Sequence, residues 1–121
     1  METSVTRVAL VTGAAQGIGR GIAMRLAADG FDVAINDLHA KSSELEDVAC
    51  EIRMLNRRSV ILIADVSVES EVKEMVARVV EAFGGLDVVC LQAFLDRRKF
   101  LDLLCHEDGR KRRRRAVETT G

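Results

Sequence analysis

The sequence contains no tyrosine and no tryptophan, and phenylalanine occurs only four times in 121 residues. Chemistry that needs a phenol is therefore excluded from these residues. Proline is absent as well, where average usage of roughly 5% would give about six. A chain without it can run strands and helices with few forced breaks. Cysteine is sparse: Cys50, Cys90 and Cys105 are an odd count at wide spacing. No pair has the CxxC spacing of a zinc site or a redox motif, so no metal site is expected, and the adjacent Cys105 and His106 read as incidental. Reduced thiols in a cytoplasmic protein are the expectation. No apolar run approaches the ~18 residues of a membrane span, so no membrane partner is expected. The opening METSVTRVAL lacks the apolar stretch of a signal peptide.

About half of the chain is hydrophobic (48%), enough for the core of one domain. The formal net charge of −1 hides a split. Residues 1–89 hold nine Lys and Arg against fourteen Asp and Glu, whereas residues 90–121 hold nine against five. This asymmetry divides the chain into an acidic segment 1–90 and a basic tail 91–121.

The first segment alternates in kind. Arg7–Thr12 (RVALVT), Phe31–Leu38 (FDVAINDL), Ser59–Asp65 (SVILIAD) and Leu86–Leu91 (LDVVCL) are short apolar runs that read as strands. Between them, Ile18, Ile22 and Leu26 recur at helical spacing up to Gly30, which is suited to end a helix. A second helix is expected over 42–55, with Leu45, Val48, Ala49 and Ile52 as its apolar stripe. A third is expected over 68–83, with Ser67 as N-cap and Val72, Met75, Val76, Val79 and Phe83 on its buried face. Strands apolar on both faces with helices between them imply an α/β fold. The expected form is a doubly wound, Rossmann-type parallel sheet of about four strands with three helices, the third helix crossing to the opposite face.

The turn after the first strand reads TGAAQGIG. Gly13 lets the chain turn sharply, Gly17 leaves room for a pyrophosphate, and Gly19 lets the helix sit close to the sheet. The helix N-terminus then offers free N–H groups and a partial positive charge to phosphates. Lying between a strand and a helix, the pattern reads as a dinucleotide site, with Gly13, Gln16, Gly17, Ile18 and Gly19 as candidate cofactor contacts. Asp37 stands 18 residues after Gly19 at the end of the second strand, near the ~20 expected of an acid that accepts from ribose hydroxyls. Such an acid repels a 2′-phosphate, and no Arg or Lys lies within the turn, although Arg20 is next to it. NAD is therefore expected in preference to NADP. Asp65, followed by Val66, ends the third strand, where it can accept from the adenine amino group.

These residues resemble the N-terminal half of the short-chain dehydrogenase/reductase family over residues 5–89. TGAAQGIG matches its TGxxxGxG, Ala64–Val66 (ADV) its adenine motif, and Gly84–Val89 (GGLDVV) the lead-in to its fourth strand. The nearest flavour is that of small-molecule ketone, diacetyl and 3-oxoacyl reductases. The resemblance implies an NAD(P)-binding domain and, in complete members, hydride transfer between a carbonyl and nicotinamide. After Val89 the family pattern NNAG is replaced by Cys90, Leu91, Gln92, Ala93 and Phe94. The family's catalytic Ser and Tyr-x-x-x-Lys have no counterpart: there is no Tyr, and the last Ser is Ser70. No catalytic residue is expected. A truncated dinucleotide-binding part of an oxidoreductase, inactive alone and of unknown substrate, is the expected function.

The tail could form a helix over 91–106, packing on the sheet face that the third helix covers. It then carries six consecutive cations, Arg110–Arg115 (RKRRRR), and is expected to end in disorder. A shifted reading frame or retained intron would account for it. The alternative is a nucleic-acid-binding or nuclear-targeting patch, although no aromatic residues interleave with the arginines to stack bases. The fourth strand is expected to be an open edge, through which the chain could oligomerise or aggregate.

Overall fold

A computed structural model describes residues 6–91 and 116–119 of the chain. Four of its strands are the expected ones: β1 (Val8–Thr12), β2 (Asp32–Asp37), β3 (Ser59–Ile63) and β4 (Val88–Leu91). They pair in parallel in the order β3-β2-β1-β4. Helices α1 (Gly17–Ala28), α2 (Ser42–Met54) and α3 (Glu69–Phe83) connect them, with a short 3-10 turn at His39–Lys41 before α2.

The alternation of apolar side chains decides which helix covers which face. Val11, Val33 and Ile35 pack with Ala23 and Ala27 of α1 and with Leu45, Val48, Ala49 and Ile52 of α2. Val8, Leu10, Ala34 and Leu62 point the other way and pack with Val72, Met75, Val76 and Val79 of α3. The sheet is thus covered on both sides, and α3 lies opposite α1 and α2, as the doubly wound topology requires.

Helix ends follow from local chemistry. Gly30, at φ +100°, ends α1. Its N–H donates to Ala27 O and that of Phe31 donates to Leu26 O, both at 3.0 Å, which is the Schellman arrangement. Asn56, the one non-glycine residue with positive φ (64°) among the described residues, ends α2 in the same way. It donates to Arg53 O at 2.9 Å, because Asn tolerates the left-handed region better than most residues.

Three sequence expectations are revised. The N-cap of α3 is Val68, with no side-chain cap, instead of Ser67. The Ser67 hydroxyl and N–H both donate to Asp65 Oδ1, at 2.6 and 2.9 Å, so they are spent on the loop. Second, the edge of β4 is not open. A fifth strand, β5 (Ala116–Thr119), pairs with it in parallel, in register from Val88↔Ala116 to Leu91↔Thr119. Third, the end of the tail, expected to be disordered, therefore holds a strand. Val117 and Thr119 are β-branched residues that suit one, and β5 extends the sheet order to 3-2-1-4-5, the sequence of a doubly wound sheet. The expected helix over 91–106, past its first residue Leu91, and the basic run 110–115 lie outside the described residues. No helix among the described residues is long and apolar enough to cross a membrane.

Candidate cofactor site

The carboxyl ends of β1, β2 and β3 meet at one rim of the sheet, where a doubly wound fold holds its ligand. Polar groups buried beneath the rim fix it. Asn36, 1% exposed, donates from Nδ2 to Leu62 O at 3.0 Å and to Ala64 O at 3.2 Å, tying β2 to the strand and loop beside it. Asn36 O accepts the Ala14 N–H at 2.9 Å, and Asp37 O accepts that of Ala64 at 3.3 Å. The turns leaving β1 and β3 are thereby anchored to the end of β2.

Within the first turn, Gly13 and Gly17 both have positive φ, 64° and 63°, a conformation that costs other residues free energy. A Cβ on Gly17 would meet nothing within 4 Å, so this glycine faces open space, as a backbone that must approach a ligand would. Gly19 is different. A Cβ there would overlap the Gly13 carbonyl oxygen, 2.7 Å from Gly13 C and 3.2 Å from Ala14 Cα. The partner that Gly19 admits is thus the turn itself, folded back onto the first turn of α1, and not a strand of the sheet.

The N-terminus of α1 is left available. Its N-cap, Gln16, makes no side-chain cap, and no acidic residue stands in its first turn. Free N–H groups and the dipole at this end favour an anion. Gln16 instead accepts from Lys41 Nζ through Oε1 at 2.9 Å. Ile18 is 66% exposed although apolar, and so is Leu38, at 49%.

Asp37 reaches across to the glycine turn. Its Oδ2 accepts the Ala15 N–H at 3.1 Å and its Oδ1 accepts the Leu38 N–H at 2.8 Å. Asp65 sits at the exposed end of the third rim segment, its carboxyl held below the usual carboxylate range by the Ser67 hydroxyl and N–H. The backbone N–H of Asp65 donates to Glu71 Oε1 at 2.8 Å. Val66 packs against the core on the α3 side. The rim therefore gathers Gly13, Gln16, Gly17, Gly19, Asp37, Asp65 and Val66, with Ile18 and Leu38 as apolar flanks.

Sequence reasoning missed Asn36, Leu38 and Lys41. Asn36 carried a signal: an amide in an otherwise apolar strand must find partners when buried. Lys41 carried none, because its contact with Gln16 spans 25 residues. Arg20, next to the turn, is turned away from it and pairs with Glu51 of α2 at 2.6 Å.

Comparison with known proteins agrees with this architecture. The family model for short chain dehydrogenases matches residues 7–112, continuing past Val89 into the segment that reads as divergent. A short-chain dehydrogenase/reductase of Armillaria gallica is 54% identical over 94 residues, 76% of this chain and 36% of that protein. A short chain dehydrogenase from Burkholderia cenocepacia, solved in complex with NADP, superposes with a TM-score of 0.79 at 31% identity, over 97% of this chain and 56% of that one. The 3-oxoacyl-[acyl-carrier protein] reductase of Brucella melitensis, solved with NAD, gives 0.67 at 38% identity, over 75% and 34%. The chain thus spans little more than a third of the length of the curated relative and of the Brucella enzyme. With the family model matched across most of its length, the chain belongs to the short chain dehydrogenase family.

Proposed function

We propose that these residues form the nicotinamide-dinucleotide-binding part of an oxidoreductase that interconverts a ketone and an alcohol. The observation that carries this reading is the contact between Asp37 Oδ2 and the Ala15 N–H, which brings a ribose-binding acid to a glycine turn at an uncapped helix N-terminus. The residues fit the group. Gly13, Gln16, Gly17, Ile18 and Gly19 would cradle the pyrophosphate, Asp37 would accept from the adenosine ribose hydroxyls, and Asp65 and Val66 would flank the adenine. Bound there, the cofactor supplies hydride transfer at its nicotinamide, and the protein supplies position and charge.

NAD is favoured over NADP. An added 2′-phosphate would meet the fixed charge of Asp37, and Arg20 is occupied by Glu51. Lys41 is the cation that reaches the turn, through Gln16. The relatives solved with each cofactor are consistent with either choice. The chain as it stands is expected to bind without turnover, because none of its 121 residues is a tyrosine and the family's proton donor is one. Calorimetric titration with NAD and NADP tests both points. Tighter NAD binding without alcohol oxidation or ketone reduction is the expected result, and a tenfold preference for NADP would overturn the assignment of Asp37.

A further inference from the structure

α3 has Val68 as its N-cap and Glu71 at its third position, from which a glutamate ordinarily reaches back to the N–H of the N-cap residue. That N–H is already taken, since Val68 donates to Asp65 O at 2.9 Å. Glu71 Oε1 passes beyond it and accepts the N–H of Asp65 at 2.8 Å. The same peptide group is held on its other side, where its carbonyl, Ala64 O, accepts from Asn36 Nδ2 at 3.2 Å. The plane joining Ala64 to Asp65 is thus gripped from β2 by a buried amide and from α3 by an exposed carboxylate. The preceding peptide is bound too, its Ala64 N–H donating to Asp37 O at 3.3 Å, but that bond leaves the following plane free to turn.

We propose that Glu71 is a positioning residue for the adenine end of the dinucleotide, a role that rests on Asp65 accepting from the adenine amino group. Glu71 acts by fixing the peptide plane from which the Asp65 side chain departs. Asp65 Oδ1 is spent on the Ser67 hydroxyl and N–H, at 2.6 and 2.9 Å. Among the described residues, that leaves Oδ2 for an amino group. Ser67 orients the carboxylate within its own loop, and the two grips on the 64–65 peptide orient that loop against the sheet. The bond from Glu71 lies at the surface, and this decides what its loss does. Water replaces an exposed acceptor at little cost to folding, so removing Glu71 frees the loop without unfolding the chain. The cost appears on binding, when the loop must be ordered again.

Calorimetric titration of the full chain with NAD and with nicotinamide hypoxanthine dinucleotide tests this role, because hypoxanthine carries an oxygen where adenine carries its amino group. The wild-type chain should bind NAD the more tightly. Glu71→Ala should weaken NAD roughly two- to tenfold, the cost of ordering one more flexible element. It should leave the hypoxanthine analogue nearly unchanged, so that the preference shrinks, whereas a merely structural role would weaken both alike. Glu71→Gln keeps an oxygen acceptor at the same place and should restore the preference. Hydrogen exchange at the Asp65 amide should quicken in Glu71→Ala and slow again in Glu71→Gln, while the urea midpoint holds in both. Equal losses for the two dinucleotides, a preference unchanged in Glu71→Ala, or Glu71→Gln as impaired as Glu71→Ala would overturn the role of Glu71 alone. A wild-type chain that binds NAD no better than the hypoxanthine analogue would overturn the adenine contact of Asp65, and the role of Glu71 with it.

Discussion

Asp37 Oδ2 accepts the backbone N–H of Ala15 at 3.1 Å, joining the end of β2 to the turn that leaves β1. The contact holds the carboxylate in place before any ligand arrives, which lowers the ordering cost of binding. Asp37→Ser shortens the side chain and removes the charge. Hydrogen bonds to a charged group contribute about 1.5–3 kcal/mol, so NAD affinity should fall roughly ten- to a hundredfold. NADP, no longer repelled, should lose little or gain. Calorimetry on wild type and variant reads both. In the same titrations, Lys41→Ala should weaken NADP more than NAD, because only NADP carries the 2′-phosphate for that cation to meet.

Gly19→Ala is expected to damage the site from within. The added methyl would overlap the Gly13 carbonyl, and the helix or the turn must move. Overpacking of this kind costs about 1–3 kcal/mol. Urea unfolding should show that loss, and dinucleotide binding should fall further than stability alone explains. Gly21→Ala is the control, since a Cβ there meets nothing within 4 Å and alanine favours a helix.

Ser67→Ala should raise the Asp65 pKa toward its ordinary value, as read by carboxyl chemical shifts across an acid titration. Both hydrogen bonds from Ser67 favour the charged carboxylate, and the substitution removes the larger cause, the hydroxyl. The sign follows. A carboxyl depressed in the fold contributes stability above its unfolded pKa, and that contribution is lost as pH falls through the folded value. The variant should therefore release its 65–67 loop at a higher pH than wild type does, seen as faster amide exchange at position 67.

At the opposite end of the sheet, Asp32 is almost fully buried and accepts from Arg58 twice, from the backbone N–H and from Nε, both at 3.0 Å. Asp32→Ala leaves that N–H without its acceptor, at a cost of about 1–3 kcal/mol. Chemical denaturation should show the loss. The dinucleotide affinities should hold, because the site lies at the other ends of the strands.

The fold was legible wherever its causes are local. Short apolar runs marked β1 to β4, helical spacing of apolar residues marked α1 to α3, and Gly30 announced the end of α1. The turn was legible because its three glycines do separate tasks at fixed spacing. What escaped was decided by longer contacts. Ser67 looks like a helix cap, but a neighbouring carboxylate captured it. Lys41 is an ordinary surface lysine until folding brings it to Gln16. Ala116–Thr119 is too short and too polar to read as a strand, and only the edge of β4 makes it one.

The hydrogen bonds of Asn36 go to Leu62, Ala64 and Ala14, none of them assigned to the dinucleotide, yet two loops hang from it and its neighbour Asp37. Its amide holds the third strand and the loop that follows, and its carbonyl holds the glycine turn. The adenine end and the phosphate end of the rim are thus mechanically joined from behind. Tightening either end should quiet the other, and affinity could be tuned at a position that touches no ligand.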